Sequence, residues 1–442
     1  MQPPQGRSAM NKSALLVLVF STLGGILSGQ TVYRAKKIQA TATQVFQPGE
    51  ILVEDGKIRA IGKSVKVPKG AKITEWKDME IYPGLISPGS SLGLTEISAL
   101  RPTRDEREVG DHTTDVEAWV AVNPDSELIP VARANGITHA VVAPMGGMIS
   151  GVSGLIALDG WGVEEMTISQ KVALHVWWPS HGFSLPQPGA SGGSQPKSIK
   201  EQAKDRDHRV RQIDEFFNQA EAYWRTKKSK AEGFRKIPAW EAMLPVIEGK
   251  IPIIIHADEV RRIRAAIEWA SKRNFRVIIS GGRDAWKLTG LLADKKVPVI
   301  YHHVFTAPAH SDLPHDLQFR APGILAQAGV PLSIGLRLGG WSAAHQRNLP
   351  YHAAHAVAHG LPRSKALASI TIEPAKIAGV SDRLGSLEVG KDATFIATSG
   401  DLLDIRTSVN HMIIAGKRTS LDSRHTRLYE RYRNRPKPRE KP

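Results

Sequence analysis

The chain has 442 residues, 41% of them hydrophobic, which suffices for one large core with a smaller companion. It contains no cysteine, and this excludes disulfides, a thiolate nucleophile, a cysteine-anchored lipid and a Cys-ligated zinc. The net charge of +16 is spread along the chain without a recognition motif, so it does not indicate a nucleic-acid partner.

Residues 1–30 have the layout of a secretory signal peptide: Lys12, an apolar run from Ala14 to Ile26, then Ser28, Gly29 and Gln30. That run is short for a membrane span, so export to a periplasmic or extracellular space is expected. Residues 31–82 follow as short alternating strands, VYRAKKIQA, GEILVEDGKIRAIG with a turn at Glu54-Asp55-Gly56, and KITEW, which read as a small β unit. The same texture returns over 385–420 in LGSLEVGKDATFIATSGD and SVNHMIIAGKRT, so the two terminal pieces are expected to pair into one domain.

Between them, over 83–384, apolar strand runs alternate with helical stretches. The clearest strands are THAVVAP (138–144), KIPIIIHA (250–257), RVIISGG (276–282), PVIYHHV (298–304) and VPLSIGL (330–336); amphipathic segments include 259–272 and 285–294. Repeated βα units with apolar strands predict a parallel sheet, and the length suits an eight-stranded barrel. Periodicity by itself fits a doubly wound open sheet nearly as well. Residues 183–240 break the rhythm with a Gly/Pro/Ser stretch and a charged helix over roughly 199–230, read either as a lid over the barrel mouth or as a surface insert. The tail 421–442 carries Arg424, Arg427, Arg431, Arg433, Arg435, Lys437, Arg439 and Lys441, and is expected to be solvated and disordered; the alternative is contact with an anionic surface.

Four stretches carry a family resemblance: YPGLIS (82–87), AVNPDSELIPVARANGITHAVVAP (121–144), AMLPVIEGKIPIIIHADE (242–259) and ITIEPAKIAGVSDRLGSLEVGKDATFIATSGD (370–401). On these the chain resembles the amidohydrolase superfamily, especially its imidazolonepropionase-like members, over nearly all of 31–420. The resemblance implies a TIM-like (β/α)8 barrel with a composite β-sandwich from both chain ends. It also implies hydrolysis of non-peptide C–N bonds in small, often cyclic amides by water activated on a divalent metal, zinc being the family expectation.

Carried over position by position, the ligand set is depleted. Gly89 and Ser91 stand at the two first-strand histidine positions and Ser87 at the preceding aspartate, His256 keeps the fifth-strand histidine, Gly281 stands at the sixth-strand histidine, and Arg337 replaces the eighth-strand aspartate. A guanidinium stays charged at any working pH, and two like charges about 4 Å apart repel by roughly 4 kcal/mol at an effective dielectric of 20, a divalent ion feeling about twice that. No metal is therefore assigned to these residues. Instead His256, Arg283, His302 and Arg337 are candidate ligands for a small anion. The alternative is that Arg337 pairs internally with Asp258, Glu259 or Asp284.

Four further groups stand out in the sequence. His302, His303, His310 and His315 would serve a relocated metal, although adjacent strand residues face opposite sides. His352, His355 and His359 fall on one helix face and read as packing. Ser90, Ser91, Ser150 and Ser153 lack a G-x-S-x-G elbow, and GGMISGVSG reads as a tight loop. Trp177-Trp178-Pro179 would line a pocket or cap the barrel. Two functions follow: a hydrolase by resemblance with a degenerate metal centre, or an inactive exported barrel that binds a small anionic ligand or a partner, as a homo-oligomer or beside a related subunit.

Overall fold

The computed structural model describes residues 29–182, 197–230 and 232–436. Residues 1–28, which hold nearly all of the expected signal peptide, and the tail beyond 436 lie outside the described residues. Five strands open the chain: β1 (Thr31–Gln39), β2 (Val45–Phe46), β3 (Gly49–Glu54), β4 (Lys57–Gly62) and β5 (Lys72–Pro83). Eight run through the middle: β6 (Leu85–Ser90), β7 (Ile137–Val142), β8 (Ile149–Ala157), β9 (Thr167–Trp177), β10 (Ile253–Ala257), β11 (Val277–Gly281), β12 (Val299–Tyr301) and β13 (Leu332–Ile334). Then come β14 (Phe395–Thr398), β15 (Val409–Ile414) and β16 (Lys417–Thr419).

The first and last groups share one sheet, in the order β16-β15-β14-β5-β1-β3-β4 with β2 on β1. The chain ends meet where β14 runs antiparallel to β5, Phe395 opposite Pro83 and Thr398 opposite Glu80. The expected composite domain thus takes the form of a single hydrogen-bonded sheet around its own core of Tyr33, Ile38, Trp76, Ile81 and Phe395. Tyr33 meets Phe395 edge-on at 5.1 Å, a favoured aromatic geometry. The β3–β4 turn touches the far end of the sheet. There Gly56 has φ 72, and a Cβ on it would lie 2.7 Å from the Ala415 carbonyl oxygen, so a side chain is barred on both counts.

The middle strands form a nearly closed barrel in sequence order from β6 to β13. Gly335, directly after β13, abuts Pro88 of β6 and brings the two sheet edges together. β6–β7 and β9 through β13 pair in parallel, whereas β8 runs antiparallel to both β7 and β9. This corrects the all-parallel expectation. The β7–β8 link is residues 143–148, too short to carry a parallel crossover, so the chain must turn straight back. Ser150 and Ser153, expected in a loop, lie in β8.

Residues Ala173, Ile254, Ile278 and Ile300 belong to one buried apolar cluster. Side chains two residues on share the same strand face, and here those are His175, His256 and Ser280, with His302 directly after β12 facing Ser280. A polar layer thus sits above the apolar one, toward the C-terminal strand ends.

The helix Ile199–Lys228 opens with a capping box between Ser198 and Glu201 and buries Ile213, Phe217 and Ala220. Phe217 packs edge-on against Trp269 at 4.9 Å, and Arg273 bonds Asp214, Asn218 and Glu221. Trp269 lies on the helix Val260–Lys272 that follows β10, so the buried face is committed to the barrel flank, as in a surface insert. The tail departs from its expected disorder. Arg424–Arg433 is helical, started by a capping box at Ser423 and Thr426, and Arg427 pairs with Glu127 at 3.0 Å. Local capping and ion pairs to Glu127, Asp422 and Glu430 give this basic segment an ordered conformation that composition does not reveal.

Candidate functional site at the barrel mouth

The polar layer is tightly knit. The His256 ring stacks on Trp177 with centroids 3.9 Å apart and planes 8° from parallel, and its Nε2 lies 2.9 Å from His175 Nδ1. Trp177 Nε1 donates to Ser150 Oγ at 3.0 Å, tying the stack to β8. Beside it, Asp258 Oδ1 is 2.7 Å from His303 Nε2, while His303 Nδ1 is 3.2 Å from Thr306 Oγ1. His302 Nε2 faces Ser280 Oγ at 3.5 Å. β12 ends at Tyr301, which frees His302 and His303 from strand alternation, and each joins a partner within the mouth.

Burial sets the charges. It holds His256 well below the usual imidazole range, helped by His175, His302 and Arg262 nearby, and it pushes His175 and His302 down to about 3. These rings are neutral at pH 7. Asp258 behaves oppositely: burial would raise its pKa, but the hydrogen bond with His303, the neighbouring imidazoles and the Arg283 amide outweigh it and hold the carboxyl below its usual range. Ser280 with His302 superficially offers a nucleophile and base. An imidazole with a pKa of about 3 is too weak a base for that work at neutral pH.

The four residues singled out from sequence are distributed unevenly. His256 and His302 share the buried mouth, and Arg337 is exposed beside them, near enough for its charge to contribute to the low pKa of His302. Arg283 turns elsewhere, its Nε 3.5 Å from Asp284 Oδ1. His310 and His315 are exposed. His352, His355 and His359 pack among Phe305 and Phe319, with ring centroids between 4.5 and 4.9 Å. Sequence reasoning passed over His175 and the stacking role of Trp177, and it gave Asp258 and His303 other partners than each other. A histidine inside the apolar run VALHVWW was the available signal for the first.

A divalent metal does not fit this donor set. The one retained ligand, His256, already engages His175. At the sixth-strand position Gly281 has φ 103, and a Cβ there would run into Asp258 Oδ1 and lie 3.2 Å from its Cγ. The space for a histidine is filled by a carboxylate tied to His303. Ser91 Oγ accepts the Gly339 amide at 2.9 Å, and among the described residues no group of three or more His, Asp or Glu is arranged to hold an ion. Gly89 is different, since a Cβ there meets Leu338 Cδ2 at an ordinary 3.7 Å.

A nearly closed eight-stranded barrel with a polar layer at its C-terminal strand ends, joined to a sheet made from both chain ends, is the architecture that the family resemblance implies. Residues 300–419 match the model of the Amidohydrolase family. The chain is 22% identical over 397 residues to amidohydrolase tasK of Hapsidospora irregularis, covering 81% of this chain and 38% of that protein; it therefore spans little more than a third of that relative's length. An amidohydrolase structure from Thermotoga maritima MSB8 superposes with a TM-score of 0.76 at 25% identity, covering 88% of this chain and 99% of that one. The structure of molinate hydrolase shares the fold, with a TM-score of 0.52 at 14% identity over 89% of this chain and 95% of that one. The family model, the curated relative and the Thermotoga structure agree on one similarity, to the amidohydrolases.

Proposed function

We propose that this protein binds a small anionic molecule at its barrel mouth instead of hydrolysing an amide through a bound metal. The observation that carries the reading is the interlock of Gly281 and Asp258, which puts a committed carboxylate where a metal ligand would project. Arg337 supports the second half. Its three candidate internal partners are engaged by other groups, Asp258 by His303, Asp284 by Arg283 and Glu259 by Ser180, and Arg337 makes no ion pair among the described residues. An exposed guanidinium at the rim of the mouth, without an ion-pair partner among the described residues, is a ready partner for a carboxylate or phosphate.

Zinc titration by calorimetry, with turnover assays on dihydrouracil and a lactam, tests the first half. The expected result is no stoichiometric zinc binding tighter than about 10 μM and no hydrolysis; stoichiometric zinc with turnover refutes it. For the second half, succinate and inorganic phosphate serve as probes. Binding of either is expected to be lost in Arg337→Ala, and binding that survives this change refutes the assignment.

A further inference from the structure

A concavity lies at the end of the barrel opposite the mouth. A cavity of about 730 Å³ opens among the N-terminal ends of β9 to β13 and the helix Ile372–Ile377, a volume in the range of small-molecule sites. The N-terminal face of such barrels ordinarily serves stability, so an open hollow there calls for an explanation. Its inner wall is apolar, with Val172, Ile278, Leu332 and Ile377 from the strand starts and the closing helix. Its lining also carries six cationic side chains, Lys171, Lys250, Arg276, Lys295, Lys296 and Lys376.

The charge on this lining is poorly compensated. One carboxylate lines the cavity, Glu373, and it is bound to Lys376 at 2.8 Å. Lys171 and Lys250 have partners outside the lining, Glu117 at 3.0 Å and Glu248 at 2.7 Å. Arg276 is fixed in orientation by donating to the carbonyls of Gly249 and Lys250, at 3.0 and 2.7 Å, which leaves its charge unneutralised. Lys295 and Lys296 make no ion pair among the described residues. Clustered cations repel one another, and a hollow with apolar walls concentrates their field on whatever enters it.

We infer that this cavity is a binding site for an amphiphilic anion, a molecule with an apolar body seated against Val172, Ile278 and Leu332 and a carboxylate or phosphate held by Arg276, Lys295 and Lys296. The apolar floor and the cations at the rim together match an amphiphile better than a wholly polar anion or an uncharged apolar molecule. The site is independent of the barrel mouth, which lies at the other end of the same strands.

The test is a fluorescence titration of the full chain with 8-anilinonaphthalene-1-sulfonate and with its uncharged relative N-phenyl-1-naphthylamine. Saturable one-to-one sulfonate binding is expected, displaced by decanoate or decyl phosphate but not by decanol; which of the two displaces better identifies the headgroup. The double variant Lys295→Gln/Lys296→Asn, with asparagine chosen because residue 296 has φ 52, should weaken the sulfonate about tenfold and leave the uncharged probe unchanged. Ser271→Trp, which fills the cavity from the flanking helix, should weaken both probes. Equal binding by the charge variant and the parent overturns the inference, as does displacement by decanol.

Discussion

Replacing Gly281 with alanine isolates the contact that separates this barrel from a metal-holding one. At φ 103 an L-residue is strained, at a cost of about 1–3 kcal/mol. The new methyl also evicts Asp258 Oδ1, breaking its 2.7 Å bond to His303 and the 3.4 Å approach of the Arg283 amide. A charge-assisted bond of this kind contributes about 1.5–3 kcal/mol. The expected loss is therefore about 3–5 kcal/mol in urea denaturation followed by tryptophan fluorescence. A double-mutant cycle separates the two parts: in an Asp258→Ala background there is no carboxylate to evict, so Gly281→Ala should cost the backbone strain and little more, leaving a coupling of about 2 kcal/mol. A single-variant loss below about 1 kcal/mol, or a coupling near zero, refutes the interlock.

Other consequences can be measured in the same way. Gly89→His should be accommodated with a stability change within about 1 kcal/mol and should not recruit zinc, since its Cβ meets ordinary contact but its partners are missing; micromolar zinc binding by this variant would contradict the reading. Trp177→Ala removes both the His256 stack and the bond to Ser150 and should cost about 3–5 kcal/mol in denaturation, with a loss under about 1 kcal/mol counting against a packed mouth. Acid should destabilise the protein early. His139, His175, His302 and His352 are buried with pKa values depressed to about 3–4, and His256 is lowered too. Their stabilising contribution is complete above the unfolded pKa of about 6.5 and is lost as pH falls from there toward 4–3, each histidine adding up to about 1.4 kcal/mol per pH unit. Equal stability at pH 6.5 and pH 5 would show that these rings are not buried neutral.

The strands β7 and β10 to β13 were visible as apolar runs because a buried strand needs no polar alternation. β8 was hidden by its composition, since ISGVSGLIA is rich in small residues that ordinarily mark loops, and its direction depends on the length of a link whose neighbours must first be known. At the mouth, positions 89, 91, 281 and 337 were singled out by the family resemblance. What fills them was not. Asp258 and His303 are 45 residues apart and meet because β10 and β12 flank β11 in the barrel, and the Gly281 conformation that admits Asp258 has no sequence mark beyond a glycine pair. Arg283 lies two residues past a strand end, close enough to the mouth in sequence, yet its side chain finds Asp284 first.

The pairing of β14 with β5 has a bearing on how the chain comes to be folded. β5 is complete at Pro83, but the strand that covers its edge begins at Phe395, so more than three hundred residues separate the two halves of that ladder. During synthesis the N-terminal strands therefore expose a bare row of amides and carbonyls until the last part of the chain appears, the condition that favours adventitious strand pairing between molecules. A chain released before Phe395 would keep that edge open permanently, and its fate would be decided by aggregation instead of by any defect in the barrel.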